Sequence, residues 1–508
     1  MSRPLYVIPN TIGRAQPEPG KNGRMASTPR VLPARPVLGL AEYEQAGGGE
    51  GLEAAARLGP DGVIDEISAS GLRGRGGAGF PTGRKWAAVS GNVSPVEPTT
   101  VVVNGAEGEP GSFKDRTIMR ADPYRVLEGA LIAAFALSAD TVIVAIKETF
   151  TTEAERLRRA IDEIHGARWA TDVELRVFEG PPEYLYGEET GLLEAIDGRG
   201  PFPRVSPPYR HGAEEIGADP APSAAKVEMA APGELTDAPP TLANNVETLA
   251  NVPGILAQGA EWFRSVGTAD SPGTIVCTVS GRTARHGVAE LPMGTSLREV
   301  IQEIGGGPLP ERRHVAAMSG VANSLILADQ FDAPVSYEGM QAIGTGLGTG
   351  GFIVFDDTTD FVAVAAGVSR FLGVESCGQC VPCKQDGLEL AEILERMCKD
   401  TANEADLVEL DKRIGTVADS ARCNLALQHQ LVVGNIRQLF PDEARAHTHA
   451  AVRPVEPELI AAIVDIENGR AVLDERQRSK QPDWSHDEVY SGKWPATLLT
   501  QRSTEAFE

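Results

Sequence analysis

The run Glu375-Ser376-Cys377-Gly378-Gln379-Cys380-Val381-Pro382-Cys383, completed by the distant Cys423, decides how the rest of the chain is read. Three thiolates spaced C-x2-C-x2-C converge on one small object if the backbone turns around it, and Gly378 and Pro382 let it turn. A fourth thiolate closes the site and pins a later helix to the same object. Sulfur ligands select zinc or iron–sulfur clusters. Three close cysteines with a remote fourth are typical of a [4Fe–4S] centre, whereas structural zinc sites usually pair two separated C-x2-C units. Zinc and a disulfide knot stand as alternatives, the knot poorly matched to a chain of 508 residues that needs no staples. Helices are predicted over 387–394, 405–417 and 431–440, so 359–446 reads as a small helical bundle holding the cluster.

Around this run, the length allows about three domains of ~100–200 residues each. Hydrophobic residues make up 42% and charged ones 23%, an ordinary soluble balance with no apolar run long enough to span a bilayer and no secretory signal. A net charge of -24 argues against a nucleic-acid partner. Cys277 and Cys398 read as buried free thiols, which fits a reducing cytoplasm.

Residues 1–42, rich in proline and glycine, read as an arm that lies on another surface or stays mobile. Helix formers over 52–56 and a short helix over 63–67 lead into Gly71-Leu72-Arg73-Gly74-Arg75-Gly76-Gly77-Ala78-Gly79-Phe80-Pro81-Thr82-Gly83-Arg84-Lys85-Trp86. Backbone without side chains can approach a phosphate closely, and Arg75 or Lys85 can add positive charge. The strand predicted over 99–104 runs into a second glycine-rich loop, Gly105-Ala106-Glu107-Gly108-Glu109-Pro110-Gly111. Such loops at strand carboxyl ends are where open α/β sheets hold ligands. A helix over 126–137, a strand over 141–146, a helix over 152–164 and a strand over 173–178 predict a largely parallel sheet.

Tyr184-Leu185-Tyr186-Gly187-Glu188-Glu189-Thr190 places two glutamates at a helix start, where they complement the dipole or meet a ligand. Residues 211–238 read as a surface insertion. Pro240 to Thr248 is expected to open a helix reaching Gln258, with Asn244 and Asn245 capping it or donating amides to a phosphate or ribityl chain. The texture changes near Gly273, where strands and one helix make a small β-grasp-like module without a catalytic constellation, read as a spacer or docking domain. Beyond the bundle one helix is expected over 456–467.

Taken together, these motifs resemble the flavoprotein (51-kDa-type, F) subunit of respiratory complex I and the diaphorase subunits of NAD-dependent formate dehydrogenases and hydrogenases. The likeness covers roughly Leu52 to Phe440. It implies an α/β fold of three parts: a Rossmann-like FMN domain that also receives NADH (43–268), a ubiquitin-like β-grasp domain of SLBB type (269–358), and the cluster bundle (359–446). An N-terminal arm (1–42) and a C-terminal extension (447–508) flank them. The resemblance implies that Gly74, Arg75, Gly76, Gly77 and Lys85 serve phosphates of FMN and the dinucleotide. Asn104, Glu107, Tyr184, Gly187, Glu188, Asn244 and Asn245 would line the flavin. Glu109 and Glu189 would face the nicotinamide nucleotide, Glu189 near the adenosine ribose and so favouring NADH, and Tyr209 would stack on adenine. Cys377, Cys380, Cys383 and Cys423 would hold the cluster.

The implied activity is hydride transfer from NADH to FMN followed by single-electron transfer to the cluster, without an acid or base side chain. The implied partners are a thioredoxin-like [2Fe–2S] subunit and a larger iron–sulfur or dehydrogenase subunit. The expected location is cytoplasmic, peripheral on the membrane only through those partners. Four positions depart from the family pattern: Ala106 in place of an aspartate, Tyr186 in place of a small residue or cysteine, Ser206 in place of a lysine and Ala88 in place of a phenylalanine. These departures motivate an alternative, an electron-relay subunit that no longer turns over NADH. The Glu107-Gly108-Glu109 variant leans toward the formate dehydrogenase branch.

Overall fold

The computed structural model describes residues 29–92, 98–204, 241–449 and 451–484. Helices α1 (Leu40–Gln45) and α2 (Glu50–Ser70) come first, and α2 bends where Gly59 takes φ 73° ahead of Pro60. α2 ends on Gly71 at φ 69°, a left-handed cap open to glycine. Then follow α3 (Thr82–Ser90), β1 (Thr99–Asn104), α4 (Lys114–Ala121), α5 (Pro123–Leu137), β2 (Ala139–Lys147), α6 (Thr151–Gly166) and β3 (Glu174–Gly180). A 3-10 turn over Tyr184–Gly187 leads to α7 (Glu189–Ile196). The first part closes with β4 (Thr241–Asn245), α8 (Val246–Gln258) and α9 (Ala260–Arg264).

The sheet order is β3-β2-β1-β4, and every pairing is parallel. Val101, Val102, Val103, Val142, Ile143 and Val144 are buried, as expected of β-branched strands covered on both faces. Helix α5 is buried nearly all round, with only Phe135 exposed, and burying Leu127, Leu131 and Ile132 contributes ~1.5–3 kcal/mol each. It approaches α8 so closely that a Cβ on Gly129 would overlap the Leu249 carbonyl.

One expectation is corrected here. Thr241–Asn245 is a strand, and the helix begins only at Val246. Its polar sequence carries little strand propensity. Parallel pairing with β1 supplies the order, in register from Thr100 opposite Thr241 to Asn104 opposite Asn245.

The second sheet contains β5 (Thr274–Gly281), β6 (Gly287–Pro292), β7 (His314–Ser319), β8 (Ile326–Leu327) and β9 (Gly351–Asp356) in the order β6-β5-β9-β7-β8. The β5–β9 pair is parallel and the others antiparallel. Helix α10 (Leu297–Gly305) starts at a capping box between Ser296 and Glu299 and lays Leu297, Val300, Ile301 and Ile304 on this sheet. A further helix, α11 (Tyr337–Ala342), precedes β9.

The helical region comprises α12 (Phe361–Glu375), α13 (Val381–Cys398), α14 (Glu404–Thr416), α15 (Asn424–Leu439) and α16 (Pro441–Ala446). Val364, Val368, Leu372, Leu390, Leu394, Val432 and Ile436 share its core. Close approach of α12 and α13 depends on two glycines, since a Cβ on Gly373 would lie 3.0 Å from the Gly387 carbonyl oxygen.

Beyond the bundle the expectation of a helix over 456–467 is also corrected. The chain runs extended along α12, with Glu458 N–H donating to the Ala363 carbonyl at 3.0 Å. It then forms a hairpin of β10 (Ile463–Glu467) and β11 (Arg470–Leu473) that turns at Gly469, φ 71°. The β-branched Ile463-Val464 and Ile466 favour the strand once a partner exists. Among the described residues, no helix is long and apolar enough to cross a membrane.

Candidate nucleotide site and cysteine centre

The strand order reverses direction between β1 and β4, and ligands of open α/β sheets sit outside the carboxyl ends at such a point. Asn104 and Asn245 stand side by side there, as register partners at the ends of the two strands. Asn104 Nδ2 donates to the Gly187 carbonyl at 2.9 Å, bringing in the turn before α7. Gly187 has no room for more, because a Cβ there would lie 3.0 Å from the Ala106 carbonyl oxygen.

The glycine-rich loop closes against the same strand ends. Gly74 N–H donates to the Phe80 carbonyl at 2.8 Å, and a Cβ on Gly76 would sit 3.3 Å from Asn245 Cβ. Gly77, at φ 125°, is a conformation that side chains rarely adopt, and a Cβ there would meet nothing nearer than 4.0 Å. This face of the loop is bare backbone over open space, which fits a phosphate.

Helix α3 follows at once and supplies Lys85. Its Nζ lies 2.9 Å from both carboxylate oxygens of Glu189 and 2.7 Å from the Ala243 carbonyl of β4. Trp86 is fully buried, and its Nε1 donates to Asn244 Oδ1 at 2.8 Å. Glu188 caps α7, accepting from Gly191 N–H at 2.8 Å and Thr190 Oγ1 at 2.5 Å. Burial pushes its carboxyl above the usual range, with those hydrogen bonds opposing.

Arg75, expected to serve a phosphate, is engaged by protein acceptors. Its guanidinium is 2% exposed and donates to the Pro272 and Thr274 carbonyls at 3.2 and 3.0 Å, with Nε 3.9 Å from Glu247. A cation this buried needs acceptors, and here they join the loop to the second sheet. Glu107 is likewise committed. It accepts from Ser112 Oγ at 2.6 Å and from the N–H groups of Lys114, Asp115 and Arg116 at 3.0–3.2 Å, holding the amino end of α4.

Sequence reasoning missed the cation beneath the asparagines. Lys114 Nζ lies 2.7 Å from Asp115, 3.0 Å from Glu247 and 3.1 Å from Asn245 Oδ1, while Asn245 Nδ2 donates to Asp115 at 2.7 Å. Burial lowers the Lys114 pKa, but Asp115, Glu247 and Glu107 reverse this and hold it above the ordinary lysine range. The signal was present in Lys114-Asp115 and Glu247, which stand beside or inside the motifs above, yet nothing local says that they meet.

The middle sheet, expected to be a spacer or docking domain, contacts the nucleotide side directly. Tyr337 Oη donates to the Gly74 carbonyl at 2.6 Å, and the Arg73 guanidinium lies 4.0 Å over the Tyr337 ring. Val321 N–H donates to Glu109 at 2.6 Å, and Tyr184 Oη donates to the other oxygen of Glu109 at 2.6 Å. Burial raises the Glu109 carboxyl, and those two donors oppose the shift.

Two of the departures fall together. Ala106 and Tyr186 belong to one apolar cluster with Val102, Ile143 and Leu192, and Tyr186 packs against Phe178 with ring centroids 6.5 Å apart. Tyr209, Ser206 and the insertion 211–238 lie outside the described residues.

The four cysteines are brought to one place. Gly378 turns at φ 78°, α13 starts with Pro382 in its first turn, and Cys423 stands at the N-cap of α15. Cys377, Cys380, Cys383 and Cys423 line one small pocket together with Leu185 and Leu425. Ser376 Oγ lies 3.2 Å from Cys383 Sγ, and Gln379 Nε2 donates to Cys377 Sγ at 3.4 Å. Burial pushes up the thiols of Cys377, Cys383 (to about 11) and Cys423. Thiols this buried give up their protons only to a positive occupant, so the donor set suits a soft metal centre. All six cysteines are free, and Cys277 and Cys398 are buried.

Tyr184 connects the two centres. Its backbone N–H donates to Glu375 at 3.0 Å, just before the cysteine run, and its hydroxyl reaches Glu109 on the nucleotide side. Phe371 of α12 meets its ring edge-on at 5.2 Å.

Known proteins are similar to this chain in sequence and fold. Residues 67–254 match the family described as the Nuo51 FMN-binding domain, and residues 363–447 that described as the NADH-ubiquinone oxidoreductase-F iron-sulfur binding region. The chain is 36% identical over 397 residues to the F 2 subunit of NADH-quinone oxidoreductase from Rhizobium meliloti (strain 1021), covering 76% of this chain and 89% of the relative. It is 35% identical over 419 residues to the HndC subunit of NADP-reducing hydrogenase from Solidesulfovibrio fructosivorans, covering 80% of each. The crystal structure of NAD+-reducing [NiFe]-hydrogenase in the H2-reduced state matches with a TM-score of 0.69 at 30% identity, over 82% of this chain and 67% of that one.

The chain therefore belongs to the family of F-type flavoprotein subunits of NADH-quinone oxidoreductases and their hydrogenase relatives. It is an oxidoreductase subunit that carries FMN and a [4Fe–4S] cluster and binds NADH. Nothing in these likenesses favours the relay alternative.

Proposed function

We propose that FMN lies at the carboxyl ends of β1 and β4 and that electrons from NADH leave it toward the four-cysteine centre by way of Tyr184. The observation that carries this reading is the double attachment of Tyr184, to Glu109 on one side and Glu375 on the other. When bound, FMN supplies hydride acceptance from NADH and one-electron delivery to the cluster. The chain's own residues bind and orient. Backbone of Gly74, Gly76 and Gly77 cradles phosphate, Asn104 and Asn245 address the flavin from the strand ends, and Lys85 adds positive charge. Glu188 stays on the flavin side through its cap, while Glu189 and Glu109 face the nicotinamide nucleotide.

The order β6-β5-β9-β7-β8, with a parallel central pair and α10 across it, supports a β-grasp domain of SLBB type. Partners of the kind implied by the sequence, a thioredoxin-like [2Fe–2S] subunit and a larger iron–sulfur subunit, would take electrons from the bundle. An anaerobic visible and EPR titration of the purified protein with NADH tests the reading. Flavin bleaching with a reduced-cluster signal is the expected result. A flavin and cluster that answer dithionite but not NADH would overturn it.

A further inference from the structure

The segment that follows the bundle lies beyond both matched family regions, which stop at residue 447. It touches every part of the molecule in turn. Arg116 donates to the Ile463 carbonyl at 3.4 Å, and Arg120 lies 3.3 Å from Asp465, both on the first sheet's α4. His286 N–H donates to the Gly469 carbonyl at 2.7 Å, and Arg470 donates to the Thr283 carbonyl at 2.9 Å, both beside the second sheet. Arg370 of α12 donates to the Arg478 carbonyl at 2.8 Å, and Trp484 stacks on Phe202 at 5.7 Å.

Between those anchors the strap delivers one charge to the interior. Lys480 Nζ lies 2.8 Å from Glu375, and each side chain is only 3% exposed. The other oxygen of Glu375 accepts the Tyr184 N–H at 3.0 Å. Lys147, Glu183 and the fully buried Lys384 also lie within electrostatic reach of this pair.

We infer that Lys480 is a positioning residue for electron transfer, a cation lent by the C-terminal strap to Glu375 so that Glu375 can hold Tyr184 between the nucleotide site and the cysteine centre. Removing one member of a buried pair leaves an uncompensated charge, which drives the remaining side chain to rearrange. Tyr184 then loses a charge-assisted hydrogen bond, and its hydroxyl contact to Glu109 loses its anchor. The inference rests on the proposed route through Tyr184, but its first readout does not.

That readout is hydrogen exchange of the peptide containing Tyr184, measured on the full-length holoprotein. Lys480→Met is expected to speed exchange there about tenfold or more, the scale of losing one hydrogen bond to a charged group. NADH-driven flavin bleaching is expected to stay near wild type while NADH-driven cluster reduction slows by a similar factor. Lys480→Arg restores both. Lys480→Met with Glu375→Gln, which removes the stranded charge and keeps an acceptor for Tyr184, restores protection in part and carries the test if the single variant fails to fold. Unchanged exchange in Lys480→Met, or a double variant no better protected than the single, would overturn the inference. Altered exchange with unaltered cluster reduction would keep the strap's hold on Tyr184 and sink its role in electron transfer.

Discussion

Lys85 Nζ sits 2.9 Å from both carboxylate oxygens of Glu189, joining the helix after the glycine-rich loop to the helix after the Tyr184 turn. The pair is partly open, with Glu189 half exposed, so a nucleotide can compete for either member. Lys85→Met is expected to slow NADH-driven flavin bleaching by about tenfold or more, because it removes the cation and frees Glu189 to repel phosphate. Glu189→Gln is expected to raise the NADPH-to-NADH ratio of kcat/KM by about tenfold, since the carboxylate that disfavours a 2′-phosphate is gone. Ratios unchanged in steady-state assays would place the adenosine ribose elsewhere.

The cysteine assignment separates the six thiols into two groups. Cys380→Ser is expected to lose the iron and acid-labile sulfide of the cluster, whereas Cys277→Ala, in the buried strand β5, is expected to keep both. Iron and sulfide per chain are the measurement. Full cluster content in the Cys380 variant would mean that the ligand set is wrong.

Tyr337 tests the part the middle sheet plays. Its hydroxyl holds the Gly74 carbonyl at 2.6 Å, and its ring leaves Gly79 no space for a side chain. Tyr337→Phe keeps the ring and removes ~0.5–1.5 kcal/mol of hydrogen bonding. Flavin affinity is expected to fall by about two- to tenfold with little change in thermal stability. Fluorescence of released FMN on dilution reads this directly, and an unchanged affinity would assign Tyr337 to packing alone.

A pH effect on stability is expected from His447, whose side chain is fully buried in the bundle. Its Nε2 lies 2.9 Å from Asp360, and its Nδ1 lies 3.0 Å from the Met397 carbonyl. Burial lowers the imidazole pKa, but Asp360 outweighs it and the net shift is upward. A group raised in the folded state stabilises fully below its unfolded pKa of about 6.5 and loses that contribution as pH rises through the folded value. His447→Gln should therefore cost more stability at pH 6 than at pH 9. Equal losses of unfolding midpoint at the two pH values would remove the ion pair from the account.

The features readable from the chain alone are those whose information is local. Cysteine spacing picks out four residues that the fold brings to one pocket, glycine density marks the loop, and the β-branched runs at 99–104 and 141–146 become the parallel strands β1 and β2. The remainder needed the folded molecule, because the deciding contacts join distant residues. Thr241–Asn245 is a strand only beside β1, and β10 is a strand only beside β11. Tyr337 reaches the glycine loop across 263 positions, and Lys480 reaches Glu375 across 105. The same holds for Arg75, where a glycine-flanked arginine reads as a phosphate ligand until the fold surrounds it with carbonyls and Glu247. A spacing pattern can say which side chains a site requires, but burial and the nearest opposite charge decide which of them are free to meet a ligand.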